Sequence, residues 1–195
     1  MLRGLCLVSG LIFCLAACSG GGGGAAGNAL VPADAFAALQ DRVTTPGITA
    51  FASLPPTGDL SYSGLVQLNL PLGGAAAALY HGDLDLRVSF AAASDPVTGR
   101  IGNLQGAAGE ATGDLLISNG RLYPDAAAAR DYQFTADLSG TLTQNAITHL
   151  VSAEMSGDFH GAQGSGVAGV IARGSVRQGD EIAVFDGRFA AERSP

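Results

Sequence analysis

The twelve residues Asp131-Tyr132-Gln133-Phe134-Thr135-Ala136-Asp137-Leu138-Ser139-Gly140-Thr141-Leu142 alternate apolar and polar side chains along their length. A strand turns successive side chains to opposite faces, so a period of two predicts one dry face and one wet face. Tyr132, Phe134, Ala136, Leu138, Gly140 and Leu142 fall on the dry face, and Asp131, Gln133, Thr135, Asp137, Ser139 and Thr141 on the wet one.

The same texture runs outward in both directions. Upstream, Leu60, Tyr62, Gly64, Val66, Leu68 and Leu70 alternate with mostly polar neighbours. Leu84, Leu86, Val88 and Phe90 are separated by Asp85, Arg87 and Ser89. A weaker segment covers Arg100 to Gln105, followed by Asp114 to Leu122. Downstream come Ile147 to Phe159, Val167 to Val176 and Glu181 to Ala191. Eight antiparallel strands with short turns predict an all-β domain, a single eight-stranded antiparallel β-barrel, with a sandwich as the alternative. Closure would remove exposed sheet edges. The 29 glycines and the absence of tryptophan suit tight turns and closely approaching strands.

Before the first strand, Pro32 to Val43 predicts a short N-terminal helix. Proline opens it, Asp34 sits in its first turn, and Phe36, Leu39 and Val43 share one face. Thr44-Thr45-Pro46-Gly47 ends it, and its expected place is over the open end of the barrel. The organisation is therefore residues 1–17 as a signal peptide, 18–31 as an anchored tether, 32–55 as helix and connector, and 56–193 as the barrel.

Composition excludes several function classes. The formal charge is −7, no lysine occurs, and the arginines are scattered. A nucleic-acid binder needs a basic stripe to displace counterions, so none is expected. With 47% hydrophobic and 14% charged residues the chain is a folding sequence rather than a disordered one. Aromatic residues make up 6%, too few for the two interfacial girdles of a membrane-spanning barrel.

The search for chemistry yields little. Gly164-Ser165-Gly166-Val167-Ala168-Gly169 fits G-x-G-x-x-G, and Asp186 follows about 17 residues later. A dinucleotide fold needs a hydrophobic strand before the glycines and a helix after them, and Gly174 would interrupt that helix. His81, His149 and His160 form no metal-ligand pair. His149 shares the phase of Ile147 and Val151 and is expected to face inward near a rim. His160 falls on the wet phase, and Tyr80-His81 is expected in a loop before a strand. Asp83 and Asp85 share one face, which reads as solvated rather than as an acid–base pair. No enzyme, cofactor or metal site is expected.

The chain opens with Arg3, an apolar run to Phe13, and Leu15-Ala16-Ala17-Cys18, the order of an export signal. The apolar run falls short of the roughly 20 residues of a membrane-spanning helix. Leu-Ala-Ala-Cys resembles the bacterial lipobox, which implies cleavage before Cys18 and lipid on that cysteine. Each buried CH₂ contributes about 0.8 kcal/mol, and more than one acyl chain is needed for a stable anchor. Cys6 and Cys14 would leave with the signal, so no thiol remains for a disulfide, a zinc site or a nucleophile. Ser19 to Gly27 is expected as a glycine-rich coil reaching about 17 Å.

Three late segments carry a further resemblance: Met155-Ser156-Gly157-Asp158-Phe159-His160-Gly161-Ala162-Gln163, Gly166-Val167-Ala168-Gly169-Val170, and Gly187-Arg188-Phe189-Ala190-Ala191-Glu192-Arg193. With Leu54 to Gly64 they resemble the transferrin-binding-protein-like β-barrel lipoproteins (transferrin-binding protein B type), as a spaced pattern over Pro55 to Arg193. Where that family often has Gly-Pro and an acid, this chain has Gly161-Ala162-Gln163-Gly164-Ser165. It also has one barrel's worth of chain and no large handle domain. The resemblance implies an outer-membrane lipoprotein, surface-exposed or periplasm-facing, that binds a protein or an iron- or haem-related ligand through barrel loops. No ligand-binding residue is carried over. A structural envelope lipoprotein with no soluble ligand is the alternative.

Overall fold

Nine antiparallel strands account for most of the described residues. They are β1 (Asp59–Leu70), β2 (Ala78–Ser89), β3 (Val97–Gly106), β4 (Gly109–Ala111), β5 (Leu115–Leu122), β6 (Phe134–Gln144), β7 (Ile147–His160), β8 (Gly166–Gln178) and β9 (Glu181–Arg193). The structure is a computed structural model and describes residues 33–74, 76–91, 93–127 and 131–195. Cys18, the signal segment and the tether lie outside the described residues. Eight strands close a ring in the order β1, β2, β3, β5, β6, β7, β8, β9, with β9 returning to β1 through Tyr62–Arg193 to Leu68–Gly187. β4 is an extra short strand paired on β3 through Leu104–Ala111, and periodicity gave no sign of it. The domain is a closed barrel, and the sandwich alternative falls.

Inside and outside differ as the alternation requires. Phe134, Ala136, Leu138 and Leu142 of β6 are buried, whereas Asp137, Ser139 and Thr141 are exposed. Apolar side chains fill the barrel and charged or hydroxyl ones coat it, the reverse of a lipid-spanning barrel. An eight-stranded interior is only wide enough for side chains. Tyr62, Tyr80, Phe134, Phe159 and Phe189, all below 2% exposed, occupy much of it. Glycine makes room for such large rings. Gly157 and Gly169 are register partners on β7 and β8, and a Cβ on Gly157 would lie 2.6 Å from Phe189 Cζ and 2.7 Å from Phe134 Cζ. A Cβ on Gly169 would run into the Ser156 carbonyl. The glycine richness read from composition is thus partly a set of slots for aromatic rings.

The two ends of the barrel are built differently. At one, β6–β7 and β8–β9 turn through two residues each, 145–146 and 179–180. Asn145 and Ala146 both have positive φ, 49° and 64°, as a type I′ hairpin turn requires. We call this the hairpin end. The other is the capped end, where the longest connection, 123–133, meets 90–96.

The helix α1 (Ala33–Thr44) forms where expected but does not cover that end. It lies along the outer wall, with Leu39 and Val43 on Ala168, Ala190 and the edge of Leu65. Phe36 stacks on the Arg188 guanidinium at 5.6 Å, and Arg42 pairs with Glu192 at 3.2 Å. The small side chains of β8 and β9 leave a shallow strip that a narrow helical stripe can fill. The open end is closed by the connector after α1 instead. Thr49 N–H donates to Phe159 O at 2.7 Å, Gly161 N–H donates to Gly47 O at 3.0 Å, and the 3₁₀ turn Phe51–Ser53 sets Phe51 onto the barrel mouth. There Phe159 sits 5.4 Å from Phe134, 5.7 Å from Phe90 and 6.5 Å from Phe51, ring to ring.

Two positions of the opening stretch are reversed. Tyr132 is exposed and Gln133 is 3% exposed, because β6 begins only at Phe134. Gln133 plugs the capped end. Its amide donates to Thr49 O at 2.8 Å and accepts from Phe159 N–H at 2.9 Å. A buried amide with both ends satisfied ties the cap to the wall, and that tertiary demand overrides the alternation.

Candidate binding surface

With the interior filled, concave surface is left on the outer wall. A groove of about 550 Å³ lies outside β6 and β7 at the capped end. Leu122, Tyr123, Asp125 and Asp131, Tyr132 form its sides, and Thr135, Glu154 and Ser156 form its floor. The strands put the floor there because Thr135 pairs with Ser156 across β6 and β7, with both side chains turned outward. The sides come from the β5–β6 connection, the longest between barrel strands. Tyr123 and Tyr132 stand at its two ends, 40% and 41% exposed. Tyr123 hydroxyl lies 3.2 Å from Thr135 Oγ1, and its backbone N–H donates to Gln133 O at 2.8 Å, which fixes that ring.

A second groove of about 490 Å³ shares Tyr123, Thr135 and Glu154 and extends to Asn119, Arg121 and Asp137. Asn119 donates to Asp137 at 2.9 Å, and Arg173 holds Glu154 at 2.7 Å from β8. The two make one trough of phenol faces, carboxylates, an amide and guanidinium groups. Such a surface can stack on a flat or apolar ligand face while hydrogen-bonding its rim. Residues scattered over four strands build it, so sequence spacing did not reveal it; the one signal was a pair of tyrosines flanking the longest turn.

The residues singled out from sequence do not converge here. His149 faces inward, as its phase predicts, and is 1% exposed with neither ring nitrogen hydrogen-bonded. Burial pushes its pKa below the usual 6.5. His160, placed on the wet phase, is instead buried at 8% exposure, because the connector pairs Ile48 against it. Burial lowers its pKa, and the Asp158 carboxylate offsets part of the effect. Tyr80 and His81 are in β2 rather than in a loop, since β2 begins at Ala78. Tyr80 points inward and accepts from the Gln144 amide at 2.6 Å.

His81 belongs to a row on the outer wall. Arg188 Nε donates to Gln67 Oε1 at 2.9 Å, and Gln67 Nε2 lies 3.1 Å from His81 Nε2. Arginine only donates, so the Gln67 oxygen faces it and the amide nitrogen faces the imidazole. His81 Nε2 is therefore the acceptor, the proton is on Nδ1, and burial lowers the pKa. Asp83 and Asp85 are exposed as expected; Asp83 accepts from Asn103 at 2.7 Å and Asp85 from Arg100 at 3.2 Å. The G-x-G-x-x-G glycines open strand β8, not a helix, so they present no helix N-terminus to a phosphate. Among the described residues, no group of three or more His, Cys, Asp or Glu is placed to hold a metal, and no helix is long and apolar enough to cross a membrane. No protein-family model matches the chain and no curated protein sequence matches it, so the reading of this surface rests on its own chemistry.

Proposed function

We propose that the chain is an outer-membrane lipoprotein, held by acyl chains on Cys18, whose barrel binds a protein or an iron- or haem-related ligand without catalysing a reaction. The observation that carries the binding half is the trough flanked by Tyr123 and Tyr132 on the longest inter-strand connection. A rigid closed barrel holding an exposed, aromatic-sided loop is a common arrangement for recognition. The filled interior directs a ligand to loops and wall rather than to a central chamber. The Leu15-Ala16-Ala17-Cys18 signal and the glycine tether support the anchor. The same filled interior also favours the second reading, a structural envelope lipoprotein with no soluble ligand.

The anchor is tested by the mass of the mature chain and by radiolabelled palmitate incorporation. Lipid mass on a chain beginning at Cys18, lost in Cys18→Ser, is the expected result; an unmodified chain would refute it. Protease shaving of intact cells then asks which side the barrel faces, with a periplasmic protein as integrity control. The binding half is tested with haem, haem-carrying proteins and transferrin against the wild type and the Tyr123→Ala/Tyr132→Ala double variant. Saturable binding weakened about tenfold or more by the double variant is expected. Absence of saturable binding across the panel would leave the structural reading in its place.

A further inference from the structure

The β9 arm of the β8–β9 hairpin begins before its pairing with β1. β9 pairs with β1 only from Gly187 onward, so Glu181 to Asp186 have β8 on one side and no described strand on the other. Ile182 is 59% exposed and Val184 82%, the highest among the large apolar side chains. Register places Ile182 opposite Arg177, and Arg177 opposite Leu150, which is 55% exposed on β7. Ile182 and Val184 thus form an apolar stripe on the outer face of β9 at the hairpin end, with Leu150 on the far side of Arg177.

The direction of α1 points its first residue to the same place. Phe36 sits on Arg188 and Arg42 on Glu192, so the helix runs along β9 toward the capped end and its first residue points to the hairpin end. From Arg188 to Val184 is four strand residues, about 13 Å. From Phe36 back to Ala33 is three helical residues, about 4.5 Å. The helix start is therefore about 10 Å short of the stripe and on the same wall. Fourteen residues, 19–32, separate it in sequence from Cys18, and a coil of that many residues spans about 21 Å. That is enough to set the hairpin end on a bilayer, whereas the capped end lies most of a strand length further off.

We propose that the β8–β9 hairpin tip, with Ile182, Val184 and Leu150, is a membrane-docking surface that orients the barrel on the bilayer carrying its own anchor. This inference rests on the Cys18 lipoprotein reading. The lipid chemistry follows from the neighbours. Asp180, Glu181 and Asp186 flank the stripe against Arg177, so a zwitterionic headgroup layer fits and an anionic one is repelled. The open backbone edge of residues 181–186 keeps the tip at headgroup depth, where water still satisfies its N–H and C=O groups. Only the side chains reach the acyl boundary.

The chain contains no tryptophan, so a single introduced indole reports its own surroundings. Full-length lipidated Val184→Trp, with its lipid confirmed by mass, is reconstituted in phosphatidylcholine vesicles with and without brominated acyl chains. Thr57→Trp, exposed at the capped end, is the control. Expected are blue-shifted emission and at least about twofold quenching by bromolipid for residue 184, neither for residue 57, and weaker quenching once anionic lipid is added. Emission at 184 as red as at 57 on vesicle-bound protein would overturn the docking while leaving the anchor intact. A blue shift that bromination does not quench would put the tip in a protein contact, such as a second copy, and overturn it as well. Absence of lipid and of vesicle flotation would remove the anchor reading and this inference together.

Discussion

The capped end and the hairpin end are made from the same strands but held by different physics. At the capped end a connector, a 3₁₀ turn and an aromatic cluster converge, and the Gln133 side-chain amide stitches them by donating to the Thr49 carbonyl, 84 residues away in sequence, and accepting from Phe159 N–H. At the hairpin end, short turns leave Ile182 and Val184 in solvent. The contrast teaches where stability and interaction reside. The capped end is over-determined, so few changes are tolerated there; at the hairpin end, side chains are free to be chosen for what they meet outside.

The comparison breaks most clearly at Phe159. Phe159→Ala removes the ring shared by Phe134, Phe90, Phe51 and Tyr62 and should cost about 3–5 kcal/mol in urea unfolding. A loss under about 1 kcal/mol would show that the cap does not depend on that cluster. Gln133→Leu comes next. It orphans Thr49 O and Phe159 N–H, at about 1–3 kcal/mol for each group.

Acid sharpens the comparison, because the buried histidines stand at both ends. Burial lowers the pKa of His149, His81 and His160, so all three stay neutral in the fold to lower pH than in the unfolded chain. Their contribution is whole above pH 6.5. As pH falls below it, the unfolded state takes protons the folded state does not, and stability drops by up to about 1.4 kcal/mol per pH unit for each histidine. His149→Leu should flatten that slope by up to one proton below pH 6.5, measured by urea titration at each pH. An unchanged slope would mean that His149 is protonated in the fold.

Smaller effects belong to the hairpin end. Ala146 holds a φ of 64° that costs an L side chain about 1 kcal/mol, so Ala146→Gly should raise stability by up to that amount in thermal melts. Val184→Ser should change stability by less than about 0.5 kcal/mol, since the side chain is mostly in solvent already. A large loss there would mean that the hairpin end carries more of the fold than its exposure suggests.

The alternation around Phe134 to Leu142 by itself determined that this chain makes strands with one dry face, because a period of two is a local property of the backbone. It placed His149 inward for the same reason, and it left Asp83 and Asp85 in water. The export and lipidation expected from Leu15 to Cys18 are likewise read from a linear pattern, and they lie outside the described residues. Barrel rather than sandwich was decided only when β9 met β1, a pairing between residues more than 100 positions apart. Tyr132 and His160 went against their phase because tertiary partners, the cap and the connector, set their environment after the strands were laid down. The trough between Tyr123 and Tyr132 and the one-sided start of β9 depend on register and on where strands stop. Both are settled by the closure of the whole ring, and that is why no local pattern announced them.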